Sequence, residues 1–103
     1  MKIGVLILNN GIWEGNKLIS EEYLKEALTP SKMNPNCGLL WWIFNDAKTK
    51  EAVLFHANGY LGNFIIIIPK LKLVVVRTMT EDRWKSYKDD FGSIYSLVSK
   101  IVE

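Results

Sequence analysis

A single cysteine, Cys37, and a single histidine, His56, occur in the 103 residues, and each scarcity excludes a class of protein. One cysteine permits no internal disulfide and reads as a free, buried or half-buried thiol. One cysteine and one histidine without a carboxylate cluster cannot assemble a zinc site, so no metal is implied. An excess of charge of one sign is also missing: 13 basic and 11 acidic residues leave a formal net charge of +2. Acidic residues are scattered among the basic ones, which gives no field to gather nucleic acid. Apolar runs such as Phe64–Ile68 fall far short of the roughly 20 residues that a helical membrane span needs. Met1 to Leu8 runs straight into Asn9-Asn10-Gly11, which reads as a helix end rather than a secretory signal.

What is present is an ordinary globular composition, 49% hydrophobic and 23% charged, in a length that suits one domain with one core. No internal repeat, linker or low-complexity tract divides it, so residues 1–103 read as a single unit. Ile3, Val5, Leu6, Ile7 and Leu8 form the last turns of a helix ended by the left-handed signal Asn9-Asn10-Gly11. A segment so short, so apolar and without an N-cap is expected to be the remainder of a longer one, which makes the unit an incomplete domain. Gly15, Asn16 and Lys17 then read as a turn. Ser20 supplies an N-cap for a helix through Leu28, with Ile19 and Leu24 as a hydrophobic staple and Glu21 and Glu22 in the first turn.

Past a loop from Ser31 to Asn36 the composition turns β-branched and aromatic. Four strands are expected, at Leu39–Phe44, Ala52–Ala57, Gly62–Ile68 and Leu73–Met79, joined closely enough for antiparallel hairpins, with Pro69–Lys72 the clearest turn. Phe64–Ile68 and Leu73–Val76 are apolar on both faces, which requires cover on both. Phe91, Ile94, Val98 and Ile101 recur at helical spacing and supply one layer; the other is expected to be missing from the chain. The fold class is therefore α+β, an antiparallel sheet with flanking helices. Tyr23, Leu24, Leu28, Trp42, Phe64, Val74, Val76, Ile94, Val98 and Ile101 are the expected buried positions. Asp82, Arg83, Lys85, Lys88, Asp89 and Asp90 read as a solvated, mixed-charge helix start.

For chemistry, the serine hydrolases most compatible with this texture place Ser-x-x-Lys on a helix. None occurs: the residues three after Ser20, Ser31, Ser86, Ser93, Ser96 and Ser99 are Tyr23, Asn34, Asp89, Ser96, Ser99 and Val102. No Tyr-x-Asn occurs either, and no Gly-x-Ser-x-Gly elbow presents a serine to His56. The chain therefore contributes no catalytic residue. His56 on an apolar strand is more often a satisfied structural histidine than a base. Trp41 and Trp42 face opposite sides if they lie on a strand, so one of them lines a pocket or both simply pack.

The segment Phe55-His56-Ala57-Asn58-Gly59-Tyr60-Leu61-Gly62-Asn63-Phe64, followed by four isoleucines and Pro69, resembles an element of the serine β-lactamase and penicillin-binding-protein superfamily. There a Lys-Thr-Gly, or a looser His-x-Gly or Ala-x-Gly, lies on a strand lining the active site. Asn9 to Glu22 is similar to that family's helix end, tryptophan-containing loop and next helix start. Gly38-Leu39-Leu40-Trp41-Trp42-Ile43 resembles its Gly-x-Gly-Trp-Trp strand, and Leu73–Val76 its following core strand. The ordered set, from about Met1 to Met79, carries the resemblance more than any one element.

The resemblance implies the C-terminal part of a β-lactamase-like fold, with acyl transfer from a small ester, amide or lactam to a serine that lies upstream with its lysine. It implies no cofactor, and a family whose members are often exported. His56, Ala57, Asn58, Gly59 and Tyr60 would then bind substrate: Gly59 lets it approach, the Tyr60 N–H helps hold an oxyanion, Asn58 donates to a carbonyl or carboxylate, and His56 orients Asn58. Two departures matter. Ala57 and Asn58 stand where an ammonium or hydroxyl is usual, and Asn63 stands where a Gly-Gly pair is usual. They favour an esterase-like, peptidase-like or inactive parent over β-lactam turnover. The alternatives are a glycine-containing hairpin without a ligand, and a non-enzymatic module that pairs through exposed sheet edges. Partners expected on these readings are the missing N-terminal portion of the fold or a second copy.

Overall fold

The first two helices are set by local signals. The computed structural model describes residues 1–49, 51–83, 96, 97 and 100. Helix α1, Lys2–Leu8, ends at Asn9, after which Asn10 and Gly11 both take positive φ. The Gly11 N–H donates to Leu6 O at 2.9 Å and the Asn10 N–H to Ile7 O at 3.1 Å, satisfying carbonyls that the helix end leaves open. Helix α2, Glu21–Ala27, starts where the Ser20 hydroxyl accepts the Tyr23 N–H at 3.1 Å.

Between them, residues read from the sequence as a plain turn form a minimal hairpin. Strand β1, Ile12–Trp13, pairs antiparallel with β2, Asn16–Lys17, so Asn16 and Lys17 belong to a strand and the turn is Glu14-Gly15, both at positive φ.

The main sheet has four antiparallel strands in sequence order: β3, Trp42–Asn45; β4, Ala52–Asn58; β5, Phe64–Ile68; and β6, Leu73–Arg77. The α+β class follows, with helices flanking an antiparallel sheet. Strands β3 and β4 each run one residue past their expected ends, to Asn45 and Asn58, and three boundaries differ by two residues or more. Strand β3 begins at Trp42 because Leu40 takes φ 66° and the Gly38 N–H turns back to Trp41 O at 2.8 Å. Strand β5 begins at Phe64 because Tyr60–Gly62 form a short 3-10 turn. Strand β6 ends at Arg77 rather than Met79, since its ladder with β5 closes on the Phe64–Arg77 pair.

Register assigns the faces. Trp42, Phe44, Leu54, His56, Asn58, Phe64, Ile66 and Ile68 share one face, and Ile43, Phe55, Ala57, Ile65, Ile67 and Val74 the other. On the second face Ile67 clusters with Ile7 of α1 and Leu24 of α2, joined by Ile19, Leu28 and Trp41. Gly4 makes this approach possible: a Cβ there would lie 2.5 Å from Val74 Cγ1. Helices α1 and α2 thus cover this face, whereas the expected layer of Phe91, Ile94, Val98 and Ile101, on which the expectation of a missing layer depends, lies outside the described residues. On the first face Leu54, Phe64, Ile66 and Ile68 form a second buried cluster, with Leu73 and Val75 against it.

Leu24 and Phe64 are buried as expected, whereas Leu28, Val74 and Val76 are half-buried. Tyr23 and Trp42 are corrections, at 54% and 44% exposed. Tyr23 sits beside the buried Leu24 but turns off the stripe formed by Leu24 and Ala27, and Trp42 lies on β3, which among the described residues is the outermost strand of the sheet. Ile94, Val98 and Ile101 lie outside the described residues, as do Lys85, Lys88, Asp89, Asp90 and Phe91.

Two glycines with nearly equal positive φ separate backbone strain from crowding. A Cβ on Gly15, φ 82°, would meet nothing within 4 Å, while one on Gly11, φ 85°, would lie 2.2 Å from Ile19 O. Gly15→Ala is expected to cost only the left-handed penalty, about 1–2 kcal/mol. Gly11→Ala should cost clearly more, because the Ile19 backbone has to move. Urea midpoints of the two variants measure the difference, and equal midpoints would refute this account of the α1–α2 connection.

Candidate functional site

The segment His56–Tyr60 is divided by the pleat of β4. His56 and Asn58 point to one face and Ala57 to the other, opposite Ile66, Phe64 and Ile65 of β5 respectively. His56 is 8% exposed, Ala57 is half-buried, Asn58 and Gly59 are exposed, and Tyr60 is 85% exposed. The five residues therefore form no single cluster.

His56 pairs across the ladder with Trp42, and the two rings stack with centroids 6.5 Å apart and planes 19° apart. Both line a cavity of about 330 Å³ with Asn36, Phe44 and Asn45. No charged side chain is among these residues. Asn45 donates through Nδ2 to Pro35 O at 3.0 Å. Burial pushes the His56 pKa below its ordinary 6.5, so the ring is neutral at pH 7. A neutral imidazole offers one donor and one acceptor, which suits orienting an amide better than holding an anion.

On the other side, Ala57, Gly59, Asn63, Val76 and Thr78 line a separate cavity of about 310 Å³. Gly59 is in extended backbone, φ −97°, so its value is not a left-handed conformation. What it offers is a close approach: a Cβ there would sit 3.1 Å from Asn63 O. The Gly59 N–H donates to that same oxygen at 2.7 Å, which closes the turn. Within the turn Leu61 takes φ 58° and Gly62 φ 80°. The Tyr60 N–H forms no backbone hydrogen bond with another described residue.

Three hydrogen bonds and one ring contact around this turn add to the residues expected from the sequence. Asn63 Nδ2 donates to Tyr60 O at 2.6 Å, and Asn63 Oδ1 accepts the Met79 N–H at 2.8 Å. Arg77 Nε donates to Gly62 O at 2.9 Å, with its guanidinium carbon 4.6 Å from the Phe64 ring centre. The signal for the last was available: a hairpin turning at Pro69–Lys72 and closing Ile68 on Leu73 places Arg77 opposite Phe64.

A cavity of about 480 Å³ lies apart from these, between α2 and the loop after it, lined by Glu22, Lys25, Glu26, Lys32 and Leu39 among others. Its mixed, exposed charges give it no chemistry of its own. Among the described residues no group of three His, Cys, Asp or Glu could hold a metal ion, and no helix is long and apolar enough to cross a membrane. Cys37 is half-buried and forms no disulfide, and its Sγ donates to Gly38 O at 3.4 Å.

No family model matches the chain, and no curated protein matches it.

The lowered His56 pKa has a defined sign. The unfolded chain binds the proton near pH 6.5 and the folded chain only at lower pH. The stability attached to a neutral His56 is therefore complete above about pH 6.5 and is lost as pH falls through the folded pKa. The His56 ring is expected to titrate in the folded chain below 6.5 by NMR. Urea midpoints compared between about pH 7.5 and about pH 5.5, which bracket the ordinary histidine pKa, should fall more in the wild type than in His56→Gln. Equal falls would remove His56 as the source.

Proposed function

We propose that this chain is the C-terminal portion of a serine hydrolase of the β-lactamase and penicillin-binding-protein type, supplying the substrate-binding strand but not the nucleophile. The reaction is acyl transfer from a small ester, amide or lactam to a serine hydroxyl. The serine Oγ bonds to the carbonyl carbon, a lysine takes its proton, the alcohol or amine departs with a proton, and water then releases the acid. Serine and lysine come from a segment outside this chain. The chain's contribution is the wall along β4 and its end, where the Tyr60 N–H is available to a developing oxyanion.

One observation supports this reading above the others. Directly after the buried strand, Gly59 removes the side chain that would crowd the turn, and the exposed Tyr60 presents an N–H with no backbone partner among the described residues. Ala57 and Asn58, in place of an ammonium or hydroxyl, favour esters or peptides over β-lactams. His56, neutral and buried beside Trp42, orients rather than exchanges protons.

A second reading rests on β6. Among the described residues it is an edge strand, and Leu73–Val76 carries no charge, proline or bulge to discourage pairing with another chain. On that reading the protein is an interaction module that adds a strand from a partner or a second copy. Sedimentation velocity at low micromolar concentration separates the two states, since a lone stable monomer that binds no apolar dye removes this reading.

The hydrolase reading is tested by complementation. The chain alone should neither hydrolyse p-nitrophenyl acetate nor react with a fluorophosphonate. Supplied with an upstream segment carrying Ser-x-x-Lys and Tyr-x-Asn, it should be labelled at that segment's serine. Gly59→Val should then lower kcat by about 10²–10³, the size of a lost oxyanion donor, because a Cβ against Asn63 O displaces the turn that carries the Tyr60 amide. Labelling of the isolated chain at one of its own serines, or full activity of the valine variant, would sink the assignment.

A further inference from the structure

The Gly59–Tyr60 peptide carries the N–H that the hydrolase reading uses, and the groups on both sides of it are gripped by one residue. On its N-terminal side the Gly59 N–H donates to Asn63 O at 2.7 Å. On its C-terminal side the Tyr60 carbonyl accepts from Asn63 Nδ2 at 2.6 Å. The other polar atom of the Asn63 side chain, Oδ1, accepts the Met79 N–H at 2.8 Å, which ties the turn to the chain leaving β6. The two partners also fix which end of the amide is which. A main-chain N–H requires the oxygen and a main-chain carbonyl requires the nitrogen, so the orientation is the one that satisfies both.

Arg77 reinforces the same anchorage from the neighbouring position, through Gly62 O at 2.9 Å. The turn so held contains Leu61 and Gly62 at positive φ, a conformation that costs a leucine free energy and persists only if its surroundings determine it.

We propose that Asn63 is a positioning residue, which holds the Gly59–Tyr60 peptide between two hydrogen bonds and so keeps the Tyr60 N–H aimed outward as a preorganised donor. The inference rests on the hydrolase reading for the use of that donor, but not for its geometry. Asparagine is the residue that meets all three demands at once. Aspartate lacks the donor for Tyr60 O and retains the acceptor for Met79, while glycine retains only the main-chain bond to Gly59.

The test uses the full chain, labelled with ¹⁵N, as wild type, Asn63→Asp and Asn63→Gly. Backbone order parameters report Tyr60, amide exchange reports Met79, and the amides of Ile66 and Ile67 with the thermal midpoint report the sheet. The Tyr60 order parameter is expected to fall from the rigid range, about 0.85, to below about 0.6 in both variants. Met79 protection should persist in Asn63→Asp and disappear in Asn63→Gly, with the Ile66 and Ile67 amides still protected in both and the thermal midpoint lowered by only the few degrees that the lost side-chain hydrogen bonds cost. An unaltered Tyr60 order parameter overturns the proposal. So does a drop accompanied by loss of the Ile66 and Ile67 protection, which would make Asn63 a general structural residue. Failure of serine labelling in the complemented enzyme would defeat the hydrolase reading alone, and leaves these NMR outcomes to decide the positioning role.

Discussion

Burial of β5 on both of its faces is the constraint on which the rest of the arrangement depends. Ile66 and Ile67 are adjacent, so their side chains leave the strand in opposite directions, yet each is 1% exposed. Burying each is worth about 1.5–3 kcal/mol relative to exposure. A strand of this kind cannot lie at a solvated surface, and it takes the position between β4 and β6. The short helices answer the same demand. With seven residues each, α1 and α2 are too short to be stable alone, and tertiary contact with Ile67 holds them in place. Gly4 is the local adjustment that lets α1 lie against β6 without displacing Val74.

The same constraint fixes the β4 end. Pairing of His56, Ala57 and Asn58 with Ile66, Ile65 and Phe64 sets the register, and β4 rather than the uniform isoleucines of β5 specifies it, since a slip of one residue would turn Leu54 away from its cluster with Phe64, Ile66 and Ile68. The ladder holds the strand up to Asn58, and the chain beyond it must turn within a few residues to re-enter the sheet at Phe64. A turn that tight needs positive φ and polar closure. Leu61 and Gly62 give the first, while Asn63 and Arg77 give the second. Stability and the candidate site meet here: the residues that terminate β4 are the ones that flank the Tyr60 N–H, which has no backbone partner among the described residues.

Much of this was legible in the sequence. Ser20 as a cap, Asn10-Gly11 as a left-handed stop and Pro69–Lys72 as a turn are local signals, and local physics decides them. All four strands of the main sheet were visible from β-branched and aromatic runs. The β1–β2 hairpin was not, because two-residue strands are too short to show alternation. Tyr23 and Trp42 failed as buried positions for a shared reason: burial depends on which neighbour lies across a face, and Trp42 sits on the strand that is outermost among the described residues. The motif His56–Tyr60 was found as a string of residues, but a string does not reveal that the pleat sends His56 and Ala57 to different cavities. Asn63 read only as a departure from a glycine pair, since its three partners include Met79, sixteen residues away.

The division of the motif between two cavities bears on the dimensions of any molecule that engages all of it. His56 and Gly59 are three residues apart along an extended strand, a separation of about 10 Å, and their cavities open on opposite sides of the sheet. A straight, small molecule fits one opening or the other. One that touches both has to bend over the tip of β4, crossing Asn58, which is exposed at the crest. Length and flexibility of the ligand, more than its charge, therefore decide whether His56 and Gly59 ever act on the same molecule.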